Sequence, residues 1–419
     1  MFKFLHAADL HLDSPMRGLE RYEGAPVDQI RGATRRALEN LVRLAVDEGV
    51  KFVLVAGDLY DQGWKDYNTA LFLSGQMARL RDAGIGVFVI AGNHDASSQI
   101  TRSLHLPENV RLLSTKAPET IMLGDVGVAI HGQGFAERAV REDLSAGYPS
   151  GCKDLFNIGM LHTAATGREG HEPYAPCSVD GLLSRGYDYW ALGHVHRREV
   201  LHENPWIVFP GNIQGRHVNE SGRKGCTLVT VEDGSCSLAH RDLSVVAWAV
   251  CEIDTSGADE PEGVLDLTRM RLQQELLNAG GQLLAARILL SGSTNAHTEL
   301  INDQERWVNE IRSVATDLSD GAIWIEQVKL RTRPHIDMEE RLTHDDPVAD
   351  LLRHLQGLEP DGDLLKPVRD EVAAIRSKVA ELFELTPALN LDSPEVVRGV
   401  LEEVKAILIA RILSAGGAQ

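Results

Sequence analysis

Nine polar residues in five short segments carry ligand or proton-transfer chemistry. They are Asp9 and His11 in Asp-Leu-His, Asp58 after Gly57, Asn93-His94-Asp95 after Gly92, His162, and His194 and His196 in Gly-His-Val-His. Asp9, His11, Asp58, Asn93, His162, His194 and His196 mix carboxylate, amide oxygen and imidazole, a donor set suited to manganese, iron or zinc. Such a set is large enough for two divalent ions sharing one carboxylate. An ion pair of that kind lowers the pKa of bound water and neutralises charge on a reacting phosphoryl group, so phosphate-ester hydrolysis is the expected chemistry.

Each segment follows an apolar run that reads as a strand, which would gather distant residues onto one rim of a sheet. Phe2–Ala7 precedes Asp9, Lys51–Ala56 precedes Asp58, Gly86–Ala91 precedes Asn93, Phe156–Leu161 precedes His162, and Tyr187–Leu192 precedes His194. Residues two apart on an extended chain point the same way, so Asp9 and His11 are expected to reach one ion together. Helical periodicity covers Val27–Glu48 and Asn68–Ala83, each ended by a glycine. The β-α-β-α-β order favours parallel strands, and further strands are expected at Val126–His131, Ile207–Phe209, Cys226–Val231 and Cys236–Arg241. Strands outnumber helices here, and the fold class expected is α/β, a two-sheet β-sandwich flanked by helices. His131 ends one of the strands and reads as a core histidine.

After Val245 the pattern restarts: strand Val246–Ile253, helix Pro261–Ala279, strand Leu283–Leu290, helix Asn295–Leu318 and strand Ala322–Leu330. The expected division is a catalytic domain over 1–244, a small α/β capping domain over 245–335 and a helical C-terminal segment over 336–419. That segment carries helices at Pro347–Leu355, Leu364–Leu385 and Pro394–Leu413, of which the last two are amphipathic and suited to docking in a partner's groove.

The net charge of −19 is unevenly spread. Residues 1–245 hold 25 Lys/Arg against 30 Asp/Glu, whereas the remainder holds 17 against 31. Two divalent ions would bring the N-terminal part near neutrality, so a polyanionic substrate is compatible there and disfavoured on the C-terminal surface. Five cysteines without a C-x-x-C pair argue against a disulfide framework or zinc ribbon. The opening residues lack the layout of a signal peptide and no apolar run is long enough to span a bilayer. The expected location is therefore cytoplasmic, with no membrane partner.

The ordered series D-x-H, G-D, G-N-H-D, H and G-H-x-H resembles the calcineurin-like metallophosphoesterase superfamily over residues 1 to about 240. The resemblance implies one ion held by Asp9, His11, Asp58 and His196, and a second held by Asp58, Asn93, His162 and His194, with Asp58 bridging. It also implies that His94 is not a ligand but serves the scissile phosphate or the leaving oxygen, and that Asp95 orients it. The implied nucleophile is a hydroxide bridging the metals, attacking in line. The stretches FLHAADLHLDSPMRGL, VAGDLYD, AGNHD and FPGNIQGRHVNESGRKGC further resemble the DNA-repair exonuclease branch, its YhaO-type members related to the SbcD nuclease.

That branch implies a metal-dependent DNA nuclease working with two divalent ions, Mn2+ by expectation. It implies a capping module and a coiled-coil, SMC-like ATPase partner docked by C-terminal helices. Homodimers are common in the family through early helices, for which 27–48 is the candidate. One departure is Asp61, where archaeal and eukaryotic relatives carry a phosphate-orienting histidine. Phosphate positioning then falls to Arg197, Arg198, Arg216, His217, Arg223 or Lys224, with Arg216 and His217 foremost as substrate-binding residues. The alternatives are a small-molecule phosphodiesterase or phosphatase of the same superfamily, which the acidic balance favours, and a non-enzymatic scaffold, which the complete donor set disfavours.

Overall fold

The computed structural model describes residues 1–14, 26–61, 67–97, 106–165, 174–335 and 342–356, together with 401, 404, 405 and 408. Apart from those last four positions, the expected helices at 364–385 and 394–413 lie outside the described residues. Two compact units form. One comprises Met1–Glu252, Thr268–Leu289 and Val308–Lys329, and the other Ile253–Leu267, Leu290–Trp307 and Leu330–Gln419.

Two six-stranded sheets dominate the first unit. One has the order β12-β11-β1-β2-β3-β4, with β1 at Phe2–Ala7, β2 at Phe52–Ala56, β3 at Gly86–Ile90, β4 at Val110–Leu112, β11 at Gly225–Glu232 and β12 at Ser235–Asp242. The other has the order β5-β6-β7-β8-β10-β9, with β5 at Glu119–Leu123, β6 at Val128–Gly132, β7 at Phe156–His162, β8 at Tyr189–Gly193, β9 at Glu199–Glu203 and β10 at Trp206–Phe209. Strands β1 to β4 run parallel to one another, as do β6, β7, β8 and β10, while β11, β5 and β9 pair antiparallel with β1, β6 and β10. The C-terminal ends of the parallel strands therefore collect at one rim of each sheet.

Alternation along the strands builds the sandwich. Phe4, Phe52, Leu54 and Phe88 join Ile130, Ile158, Met160, Tyr189 and Val208 in one buried cluster. Phe4 stacks on Phe52 at 5.0 Å between centroids and meets Tyr189 edge-on at 5.4 Å. Full burial of each such side chain contributes about 1.5–3 kcal/mol. The intervening residues Leu5, Val53, Val55, Val87 and Val89 face the other way, onto Leu38, Leu41, Leu73, Met77 and Leu80. Those five come from helices α2, Ala33–Asp47, and α3, Tyr67–Asp82. The helix expected over 27–48 is divided at Gly32 into α1, Val27–Arg31, and α2, because Gly32 caps both. The outer face of the second sheet is covered around Trp190, Leu192 and Leu182, the last of these from α4, Val179–Leu183. This is the two-sheet, helix-flanked α/β fold that the sequence predicts.

Beyond β12, a third sheet has the order β13-β14-β15, formed by Val246–Asp254, Leu283–Thr294 and Ile323–Pro334. Helices α5, Pro261–Ala279, α6, His297–Asn302, and α7, Gln304–Ser319, lie between these strands in sequence, and α8 follows at Pro347–Gln356. Within the first unit, Trp248 Nε1 donates to the Gly215 carbonyl at 2.9 Å, and Gln214 Nε2 donates to the Val246 carbonyl at 2.8 Å. These bonds pin the loop that carries Arg216 and Glu220.

Candidate metal centre

Five strand ends deliver the nine residues to one place. Asp9 and His11 follow β1, Asp58 follows β2, Asn93-His94-Asp95 follows β3, His162 closes β7, and His194 and His196 follow β8. The Asp9–His11 stretch is not an extended chain. Asp9, His11 and Asp58 have φ of 52°, 42° and 55°, and His194 has 98°. Left-handed backbone at a non-glycine residue is uncommon and tends to concentrate at functional sites. The turned segment is held to the next strand end by Asp9 N–H donating to Gly57 O and His11 N–H donating to Asp58 O, both at 3.0 Å.

Glycines make room for the donors. A side chain at Gly92 would fall on Asp58 Oδ1 and come within 2.7 Å of the Asp58 amide nitrogen. Gly57 has φ +96°, and a Cβ there would overlap His162 Nδ1.

The donors face one another in pairs. His11 Nδ1 donates to Asp61 at 2.6 Å, and His196 Nδ1 donates to Glu220 at 2.7 Å. That leaves the two Nε2 lone pairs facing each other at 3.1 Å. His162 Nδ1 donates to the Ala56 carbonyl at 2.9 Å, and its Nε2 lies 2.9 Å from Asn93 Oδ1. Asp58 Oδ2 sits between the pairs, 3.5 Å from His162 Nε2 and 3.9 Å from His11 Nε2. Asp9 accepts from the His194 amide at 3.0 Å and has Oδ1 3.9 Å from His196 Nε2. The His194 ring lies 5.1 Å from that of His162.

Acceptor facing acceptor at these distances requires a cation or a proton between them, and the carboxylate, amide and imidazole set fits divalent ions. Two triads have ligand atoms close enough to hold an ion, Asp9-His11-His196 and Asp9-Asp58-His162, and a third, His11-Asp58-His94, would admit His94. The residues present thus fit a dinuclear divalent centre.

The electrostatics agree. Burial alone would raise the Asp58 carboxyl, but His162, His11 and His94 outweigh it and hold it below the usual carboxylate range. Burial alone would lower His162, but Asp58 and Asp9 lift it to about 9. Burial, with the Asp58 charge, pushes Asp95 up to about 7 despite three backbone donors.

His94 lies at the edge, 29% exposed, with Nδ1 3.8 Å from Asp61 and its ring edge-on to His11 at 5.0 Å. Asp95, expected to orient His94, accepts from the backbone amides of Leu59 (2.9 Å), Tyr60 (3.3 Å) and Gly92 (3.0 Å). It ties the β2 loop to the β3 loop. Arg216, expected at the substrate, lies between Asp61 and Glu220 at 3.1 and 2.8 Å. His217 is 56% exposed, 3.7 Å from Glu220. Lys224 is buried and donates to the His196 carbonyl at 2.7 Å, and Arg223 is paired with Asp242. His131 lies in the interior, stacked on Tyr187 at 4.4 Å and bonded to Thr120 and Asn157. Sequence reasoning missed Glu220, whose only signal is that it is the carboxylate within FPGNIQGRHVNESGRKGC, the same resembling stretch that holds Arg216 and His217.

Comparison with known proteins agrees with this geometry. A model of the calcineurin-like phosphoesterase family matches residues 2–198, and one of the metallophosphoesterase YhaO middle domain matches residues 248–333. The chain is 37% identical to the uncharacterized metallophosphoesterase YhaO of Bacillus subtilis, over 69% of this chain and 72% of that one. It is 25% identical to the DNA double-strand break repair protein Mre11 of Haloferax volcanii, over 64% of this chain and 58% of the relative. A solved dimetal phosphatase from Danio rerio is 12% identical, with a TM-score of 0.37, over 58% of this chain and 96% of that one. With a dinuclear donor set at the strand ends of a two-sheet fold and a relative this similar over most of its length, the chain belongs to the calcineurin-like metallophosphoesterase family.

Proposed function

We propose that this metallophosphoesterase is a metal-dependent DNA nuclease, the exonuclease subunit of a cytoplasmic repair complex with a coiled-coil ATPase. The observation that supports hydrolysis at this site is the arrangement of His94 beside the buried donors, partly open to solvent while the Asp9, Asp58 and His162 side chains are enclosed. A divalent pair, manganese in this proposal, would supply Lewis acidity toward phosphoryl oxygens and a nucleophile at neutral pH. Asp9, His11, Asp58 and His196 would hold one ion, and Asp58, Asn93, His162 and His194 the other. The chain's own residues then divide the remaining work. The His94 imidazole lies within 4.8 Å of ligand atoms of His11 and of the shared Asp58, and would protonate the leaving oxygen. Asp95 fixes the loop that carries it.

DNA as substrate is supported by relatives named for DNA double-strand break repair, and a further module after the catalytic region by the YhaO middle-domain match at 248–333. In this proposal 1–244 is catalytic, 245–335 caps the site, and 336–419 docks the ATPase. Exposed His217 and Arg197 would meet the DNA phosphates. A small-molecule phosphodiester is the second reading, favoured by the engagement of Arg216, Arg223 and Lys224 with acceptors of the protein itself. Purified protein with Mn2+ is offered a labelled DNA duplex and a chromogenic phosphodiester, with and without an ATPase partner. Degradation of the duplex is expected. Hydrolysis of the small ester with the duplex intact under both conditions would establish the second reading instead.

A further inference from the structure

The imidazoles at the two ion sites are backed differently. His162 Nδ1 rests on a neutral carbonyl, that of Ala56. His11 and His196 rest on carboxylates, and one arginine ties the two carboxylates together. Arg216 Nη1 donates to Asp61 Oδ1 at 3.1 Å. Its Nη2 donates to Glu220 Oε1 at 2.8 Å, and its Nε to Oε2 at 3.3 Å. Ser14 Oγ adds a bond to Asp61 Oδ2. Asn212 Nδ2 (3.0 Å) and the Arg216 amide (2.8 Å) also donate to Glu220 Oε2. Arg216 Nη2 also comes within 3.3 Å of His196 Nδ1. The nearer Glu220 oxygen can only accept, so Nδ1 carries the proton and Nε2 is left as the donor.

We propose that Asp61, Arg216 and Glu220 form a brace that makes the two ion sites unequal. It fixes His11 and His196 as Nε2 donors and sets the affinity of the Asp9-His11-His196 site, leaving the His162 site untouched. A carboxylate behind an imidazole locks its tautomer and raises its basicity, and loss of such a partner costs about 10–100-fold in metal affinity. The bridging guanidinium offsets the two negative charges and sets the spacing of the carboxylates. Arg216 and Asp61 are positioning residues in this account. Asp61 thus has a task of its own: it serves the metal ligand His11. The inference rests on the dinuclear reading of the site.

The test is Mn2+ binding to the full chain, measured by equilibrium dialysis together with electron paramagnetic resonance. Wild type is expected to bind two ions and show a spin-coupled pair. Glu220→Gln and Asp61→Asn are expected to keep one ion at wild-type affinity, to bind the other 10–100-fold more weakly, and to show isolated Mn2+ at concentrations that fill both wild-type sites. Melting of the metal-free variants checks that they fold, and Asp61→Asn carries the test should Glu220→Gln unfold. Two ions at unchanged affinity in the variants, or equal weakening of both, would overturn the brace. Failure of wild type itself to bind two ions would instead overturn the dinuclear reading.

Discussion

His11 Nε2 lies 3.1 Å from His196 Nε2 although 185 residues separate them, and each ring is locked from behind by a carboxylate. Two lone pairs so placed repel one another unless a cation lies between, so in the metal-free protein this part of the fold opposes folding. Metal removal should therefore destabilise the protein. Ligand binding to the native state adds RT ln(1 + [L]/Kd), about 2.7 kcal/mol at a hundredfold excess over Kd. Differential scanning calorimetry of chelated and Mn2+-supplemented protein should show a clear rise in Tm with metal. Equal melting of the two forms would mean that the facing imidazoles share a proton and the site does not bind metal.

Replacing His94 separates ligation from acid catalysis. His94 Nδ1 lies 3.8 Å from Asp61, and its ring atoms are near enough to His11 and Asp58 to join a metal triad. His94→Ala should nonetheless retain both metal ions and lose about 10²–10⁴-fold in kcat, the usual contribution of a general acid. Metal content and turnover measured on the same sample decide this. A variant that loses an ion would make His94 a ligand.

Gly92 should be intolerant of even a methyl group. Its missing side chain is the space that Asp58 Oδ1 occupies beside the β3 loop. Gly92→Ala should displace Asp58, the carboxylate lying between the imidazole pairs, and so weaken both ions together. Gly124→Ala, at a turn with nothing within 4 Å of the added carbon, is the control and should bind metal like wild type. Isothermal titration with Mn2+ distinguishes the two variants, and an unaltered Gly92→Ala would remove the steric argument.

Much of this site was legible because the apolar runs that make parallel strands end where the donors begin. Phe2–Ala7 and the runs before Asp58, Asn93, His162 and His194 are buried on both faces, so their length and composition identify them. The edge strands β4, β5 and β9 were not foreseen. They are short and half-exposed, and carry no apolar run longer than three residues. The left-handed turns at Asp9, His11 and Asp58 also escaped: Asp and His adopt that conformation more readily than most residues, but here it accompanies bonds from Asp9 and His11 to the next strand end, which no local pattern announces. Glu220 and Asp61 were invisible as partners of His196 and His11 for a similar reason: their pairing depends on loops brought together by the sheet.

His6 ties acid stability to the sandwich core. It is buried with Nε2 donating to the Leu192 carbonyl at 3.1 Å and Nδ1 accepting from the Tyr189 hydroxyl at 2.9 Å, so the neutral ring is fully satisfied. Burial lowers its pKa from 6.5 to about 3. Above pH 6.5 the ring is neutral in both folded and unfolded chains, and its contribution to stability is fully present. Between pH 6.5 and 3 only the unfolded chain takes up the proton, so that contribution is progressively lost, at about 1.4 kcal/mol per pH unit once well below 6.5. His6→Asn removes the titration at the cost of some packing. Its unfolding free energy, from urea titrations at pH 6.5, 5.5 and 4.5, should fall less steeply with acid than that of wild type, by close to one proton. Parallel slopes would mean that His6 is protonated in the folded state or that the unfolded chain shields it.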